Sequence, residues 1–342
     1  MRITFNLMNC SLGNNGGSMT IIKSANTLKK LGHKVTIIDT GRNQHTWTPL
    51  IADHKIIRSF NNVPDADIVI ATGFGTVRST VRLPERCGLK THWIRGFELW
   101  NMNEKQIINS VLKAPTEKIV NSNCLQRKLE DLNFLSEIIR PGYDLADFTQ
   151  LKIRNKTNDV TILGGLYNEG GKRQTKRVKW IIDAVTKLRR KYRIQLWMMG
   201  NESQPHHIEV IDKYFQRPDK KTKNTFYNHI NLWLAPTSLE GLHIPPSEAM
   251  LTGCPVVCTN APMSGMQDYV VGGENGLIAE NNYESFYNTI EYLLKNRNEM
   301  FNYGSVARQR VFKLGNREEN MGKMVKHFEK LIENRKIKQG IK

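Results

Sequence analysis

The chain has 342 residues, 39% of them hydrophobic, and a formal net charge of +18 at pH 7. That length exceeds one typical core and fits two domains of about 150 residues each. The charge favours anionic partners without setting the fold, and five scattered cysteines without a Cys-x-x-Cys pair argue against a disulfide framework or a zinc site. Met1–Met8 is too short an apolar run for a signal peptide, and no stretch approaches the roughly 18 apolar residues that span a bilayer.

The pattern predicts a strand at Ile3–Met8, a loop at Gly13-Asn-Asn-Gly-Gly17, a helix over Met19–Leu31 closed by Gly32-His33, and a strand at Lys34–Asp39. Strand, glycine loop, helix and strand in that order imply a right-handed parallel crossover. Further strands are expected at Asp67–Ala71, Lys90–Ile94 and Lys118–Ser122. Arg140-Pro-Gly-Tyr-Asp-Leu-Ala-Asp-Phe148 and the polar run after it break the pattern, placing a domain boundary near residue 150. A second alternating series follows: strand Val160–Leu163, helix Lys179–Tyr192, strands Ile194–Met199 and His229–Ala235, strand Val256–Cys258, and helices Tyr283–Lys295, Glu299–Phe312 and Asn320–Lys336. The expected fold is α/β: two Rossmann-like, doubly wound domains, 1–150 and 151–315, facing a cleft, with a basic helix over 316–342 returning to the first domain.

The most informative segment is Ser238-Leu-Glu-Gly-Leu-His-Ile-Pro-Pro-Ser-Glu248, continuing through Ala-Met to Gly253-Cys-Pro-Val-Val257. Glu240 lies in a Gly/Pro loop and Glu248 in the start of an Ala/Met helix. A helix start after a loop presents free N–H groups and partial positive charge to a phosphate. Carboxylates beside it can accept hydrogen bonds from sugar or ribose hydroxyls, so the parts suggest a nucleotide-sugar pocket.

With Leu232-Trp-Leu-Ala-Pro-Thr-Ser-Leu-Glu240 in front of it, this run resembles the signature of the retaining glycosyltransferases of the GT-B fold, family 4 (glycosyl transferases group 1). Gly16-Gly17, Arg140-Pro-Gly-Tyr-Asp144 with Phe148, and Gly273-Glu-Asn-Gly-Leu277 resemble further pieces of that pattern in the same order. The resemblance implies that Glu248 binds the ribose hydroxyls of a nucleotide-diphosphate sugar and that Glu240 meets the donor sugar. The backbone of Gly241, Leu242, His243 and Ile244 would lie nearby. Gly16 and Gly17 would let the first-domain backbone approach the diphosphate. The family's Arg after the first strand of the second domain falls at Gly165 and is absent, while Lys176 matches the family Lys and Lys172 or Arg173 stands in for the Arg. His243 replaces a family Gly. His92 is the catalytic candidate on the first-domain side of the cleft, facing acceptor or donor sugar, with a packed core histidine beside Trp93 as the competing reading; Arg95 and Glu98 are further cleft candidates.

Three motifs are set aside. Asp65-Ala-Asp67 leads straight into a buried strand, His206-His207 point to different sides, and Gly73-Phe-Gly75 is too short for a phosphate fingerprint. Neither an obligatory metal nor a cofactor beyond the donor is expected. The resemblance implies transfer of a sugar, with retention, to an acceptor hydroxyl of a lipid-linked or surface glycan. The alternatives are hydroxylated bases in DNA, a GT-B hydrolase or epimerase, and an inactive sugar-nucleotide-binding module. A cytoplasmic protein is expected, with peripheral attachment to the inner membrane face through its basic surface.

Overall fold

The computed structural model describes residues 1–41, 45, 47–151, 153, 160–168, 175–205, 208–338 and 340. The chain forms two compact units, Met1–Tyr143 with Gly315–Lys342, and Asp144–Leu314. In the first unit the order is β1 (Arg2–Leu7), α1 (Gly16–Lys30), β2 (Lys34–Asp39), β3 (Asp53–Ile56), β4 (Ile68–Ala71), α2 (Phe74–Val81), β5 (Leu89–Ile94), α3 (Glu104–Ile107), β6 (Glu117–Val120), α4 (Asn123–Asp131) and β7 (Glu137–Ile138). All neighbours are parallel, in the order β3-β2-β1-β4-β5-β6-β7. The order reverses direction between β1 and β4, where doubly wound sheets open a crevice at their carboxyl ends.

Both faces of this sheet are covered, as a parallel sheet requires. Ile3, Phe5 and Leu7 alternate onto one face and pack with Ile21, Ala25 and Leu28 of α1. Met8, Ile38, Val69 and Cys87 pack on the other. Asn15 caps α1 by accepting a 2.9 Å bond from the Ser18 amide, and Gly32 ends it in the left-handed region at φ 89°. The helix thus begins at Gly16 instead of Met19, and the two glycines belong to its first turn. The C-terminal helix Arg317–Lys338 belongs to this unit. Its Met321, Met324 and Phe328 form a stripe at helical spacing, fully enclosed against the β1 face. Each such side chain contributes roughly 1.5–3 kcal/mol by burial.

The second unit runs β8 (Thr161–Leu166), α5 (Val178–Leu188), β9 (Ile194–Gly200), β10 (Lys213–Gln216), α6 (Lys220–His229), β11 (Leu232–Ala235), β12 (Leu239–Glu240), α7 (Ile244–Leu251), β13 (Val256–Thr259), β14 (Met263–Ser264), β15 (Gly276–Ala279), α8 (Tyr283–Lys295) and α9 (Arg297–Phe312), and the C-terminal helix is α10. Its main sheet, β10-β9-β8-β11-β13-β15, is again parallel and repeats the first order. The switch point here lies between β8 and β11.

Two boundaries differ from the sequence-based expectation. The first unit ends at Tyr143 and not near residue 150, because the following segment bonds into the second unit. Phe148 stacks edge-on against Tyr227, and the Leu151 amide donates to Asn228 Oδ1 at 2.7 Å. His229, expected to open a strand, instead ends α6, and the strand begins at Leu232. Asp219 starts that helix by accepting from the Thr222 amide at 2.7 Å.

Candidate functional site

The glutamate segment leaves the second sheet at Ala235, beside the switch point. Three contacts shape it. The Ser238 amide donates to the Thr175 carbonyl at 2.9 Å. β12 pairs in parallel with β14, Glu240 opposite Ser264. Gly265 lies so close that a Cβ there would sit 1.7 Å from the Gly241 carbonyl oxygen, so no other residue fits without moving the loop.

The first of these contacts brings Lys176 to Glu240. The two side chains form an ion pair, 19% and 24% exposed. Burial pulls the Lys176 ammonium down to about 7, while the adjacent carboxylate favours its charged form. Next along the chain, Arg177 has the left-handed backbone at φ 49° that opens α5. Its guanidinium lies over the Trp180 ring at 4.2 Å and donates to Asn281 Oδ1 at 2.6 Å.

His243 turns the chain into α7 through a second left-handed backbone, φ 54°. Pro245 and Pro246 follow in the first turn, where a missing N–H costs nothing. The imidazole is buried, with Nδ1 3.3 Å from Met266 Sδ, and its carbonyl accepts from the Tyr269 hydroxyl at 2.6 Å. Burial first, and then the Lys176 charge, hold this ring well below the ordinary histidine range. Glu248, one turn further, is also buried. Its Oε2 accepts from the Tyr227 hydroxyl at 2.9 Å and from Lys223 Nζ at 2.6 Å. Burial, followed by the Glu248 charge, raises the Tyr227 phenol well above its usual value. Glu240 and Glu248 therefore each face a lysine, and neither is a solvated helix start.

Of the other expected site residues, Gly241 and Leu242 are buried and Ile244 partly so. Lys172 and Arg173 lie outside the described residues, as do His206 and His207. Gly165 sits inside β8, where a Cβ would come within 3.1 Å of Ile181 Cδ1 and 3.3 Å of Met198 Cε. A side chain there would have to displace the ends of Ile181 and Met198 by a few tenths of an ångström. Lys179, in the same basic run, pairs with Asp183 at 2.8 Å on the exposed side of α5.

In the first unit Gly16 and Gly17 are exposed, and the space where Gly16 would carry a Cβ is open. Arg95 braces this turn: its guanidinium donates to the carbonyls of Gly17 and Thr72, both at 2.6 Å. Burial pulls Arg95 down to about 10, opposed by the Glu98 charge. Glu98, raised by burial, accepts from the Phe74 amide at 3.1 Å. His92 does not join this surface. It lies within β5, paired with Ala71 and Lys118, wholly enclosed and edge-on to Phe74. Burial holds it down to about 3, so the ring is neutral and packed in the core beside Phe74, as the second of the two sequence readings has it.

Lys223, Tyr227, Gly265, Met266 and Tyr269 complete the second-unit site, and sequence reasoning passed over all five. Only Gly265, between Ser264 and Met266 after a proline, carried even a turn signal.

Residues 157–296 match the family model described as "Glycosyl transferases group 1". The second unit is similar to the group 1 glycosyltransferases. A Staphylococcus aureus protein, the capsular polysaccharide biosynthesis glycosyltransferase CapM, is 30% identical over 129 residues, 35% of this chain and 33% of that protein. The chain thus spans about a third of that relative's length. Among solved structures, sucrose-phosphate synthase from Thermosynechococcus elongatus gives a TM-score of 0.75 at 15% identity over 97% of this chain and 99% of that one. Anabaena HepE, in complex with UDP and glucose, gives 0.76 at 13% identity over 96% and 100%. WaaG, a glycosyltransferase involved in lipopolysaccharide biosynthesis, gives 0.69 at 15% identity over 94% and 98%. At these identities the likeness is one of fold, and the fold is the two-domain α/β architecture of the GT-B glycosyltransferases.

Proposed function

We propose that this protein is a retaining glycosyltransferase that moves a sugar from a nucleotide-diphosphate sugar to an acceptor hydroxyl. The observation that carries the reading is the Lys176–Glu240 ion pair at the mouth of α7. An ammonium at that point can take up charge developing on a departing diphosphate, and a carboxylate at arm's length can hold sugar hydroxyls. Glu248, oriented by Tyr227 and Lys223, is suited to accept from ribose hydroxyls. The two acids serve different parts of one donor and are not the carboxylate pair of a hydrolase. In this reading the departing phosphate oxygen takes the acceptor proton on the same face. The protein's contribution is positioning and charge, without a metal or an added cofactor. The match of residues 157–296 supports the reaction class, and the UDP and glucose held by HepE support the donor class.

For the acceptor we favour a hydroxyl of a surface or lipid-linked glycan. CapM and WaaG both take their descriptions from polysaccharide assembly, and a net charge of +18 suits work beside anionic glycolipid or membrane. Among the described residues no helix is long and apolar enough to cross a bilayer. The test is release of nucleoside diphosphate from UDP-, GDP- and ADP-hexoses, with and without bacterial lipid extract. Release stimulated by the extract supports transfer. Equal release into water alone would make the protein a hydrolase, and binding without release an inactive module.

A further inference from the structure

Among the buried polar atoms of the second unit that have no partner among the described residues, His243 Nε2 belongs to the Glu240 loop and lies near Lys176. His243 is 5% exposed, and its Nε2 meets no donor or acceptor. Its Nδ1 lies 3.3 Å from Met266 Sδ. A thioether has no proton to give, so this contact is a hydrogen bond only when Nδ1 carries the hydrogen. Nε2 of the neutral ring then bears a lone pair. Burial and the Lys176 charge both disfavour the second proton, so the lone pair stays open at neutral pH. Such an atom can be satisfied by a hydroxyl or an N–H. Ionised phosphate oxygens cannot satisfy it, because they have no hydrogen to give.

The position also carries backbone strain, since φ 54° is adopted readily by glycine and rarely by histidine. Glycine would remove both the strain and the unmet nitrogen. A costlier residue at the turn that carries Glu240 and lies near Lys176 points to use. Building on the nucleotide-sugar reading, we propose that His243 Nε2 accepts a hydrogen bond from a hydroxyl of the donor's hexose ring. The side chain then acts as a specificity determinant for the sugar, and Met266 fixes its tautomer as a positioning residue.

The experiment is calorimetric binding of UDP, GDP and ADP, and of their glucose, galactose and mannose conjugates, to full-length wild type, His243→Gly and Met266→Leu. For the nucleotide that binds best, His243→Gly should leave the bare diphosphate within about twofold while its best hexose conjugate binds about tenfold more weakly, the worth of one lost hydrogen bond. Met266→Leu should lose part of the same increment. Deoxyhexose conjugates identify the hydroxyl: the one whose removal weakens wild type tenfold should have no effect on His243→Gly. Thermal unfolding should place His243→Gly at or above wild type, which separates lost recognition from lost folding. An unchanged conjugate affinity in His243→Gly, or an equal loss for bare nucleotide, overturns the proposal while leaving the donor reading intact. If wild type binds no nucleotide or conjugate, the donor reading fails and this inference fails with it.

Discussion

Lys176 should make donor use depend on pH near neutrality. Its ammonium loses its proton near 7 in the folded chain, against 10.5 for an ordinary lysine. At about 1.36 kcal/mol per unit, that displacement corresponds to a ceiling of about 5 kcal/mol of disfavoured charge, which the Glu240 carboxylate reduces. If the charged form serves the diphosphate, kcat/KM, which reports the free enzyme, should be level below pH 7 and fall about tenfold per unit above it. The bound diphosphate favours the ammonium, so kcat should hold to higher pH than kcat/KM. Stability runs the other way. Between pH 7 and 10.5 the unfolded chain binds the extra proton, so this group's contribution rises with pH across that window. The assay is initial-rate nucleoside diphosphate release from pH 6 to 9. Lys176→Arg, charged throughout, should abolish the alkaline limb, and Glu240→Gln, which removes the supporting carboxylate, should move it to lower pH. A flat wild-type profile, or a limb that persists in Lys176→Arg, would refute the assignment.

Two further substitutions test the Glu240 loop and, separately, the core of the first unit. Gly265→Ala places a methyl 1.7 Å from the Gly241 carbonyl oxygen, so the Glu240 loop must shift. We expect kcat/KM to drop by about 100-fold, the cost of roughly 1 Å of misplacement; retained activity would mean that the loop's position is not critical. His92→Leu replaces an imidazole that has no hydrogen-bond partner among the described residues. Held near 3 against an ordinary 6.5, neutral His92 contributes stability above pH 6.5 that is lost as pH falls toward 3, at up to about 1.4 kcal/mol per unit. Urea midpoints of His92→Leu should therefore decline less steeply than wild type between pH 6.5 and 4, and an unchanged slope would place the acid sensitivity elsewhere.

The long elements of both sheets were legible because each repeats one signal. Buried parallel strands read as apolar runs, and the apolar stripe of α8 bounded it to the residue at Tyr283–Lys295; the structure adds Asn282 as its cap. The short strands β3, β7 and β10 carry no such run. In Asp-His-Lys-Ile the first two residues are partly exposed and the last two exposed, and only its place at the sheet edge makes it a strand. Helix α6 was hidden for a related reason: its first turns are Lys, Lys, Thr, Lys and Asn, and its buried residues, Phe226, Tyr227 and Asn228, all cluster at the end.

The site divides along the same line between local and non-local information. Glu240, His243 and Glu248 share one segment, so spacing alone placed them together. Their partners come from elsewhere: Lys176 from 64 positions upstream, Tyr227 from 21 positions upstream, and Met266 from 23 positions downstream. No periodicity encodes such pairings; the order of β8, β11 and β13 and the Ser238–Thr175 bond produce them. This separation also explains why the sequence left two readings of His92 open. A histidine at a sheet's carboxyl end reads as functional, but its position three residues after Leu89 and two before Ile94 leaves it inside the ladder, while Arg95, just beyond the strand, reaches the Gly17 carbonyl. In a doubly wound sheet the residues beyond the last rung of a strand reach the crevice at its carboxyl end, and the Glu240 segment likewise follows Ala235, where β11 ends.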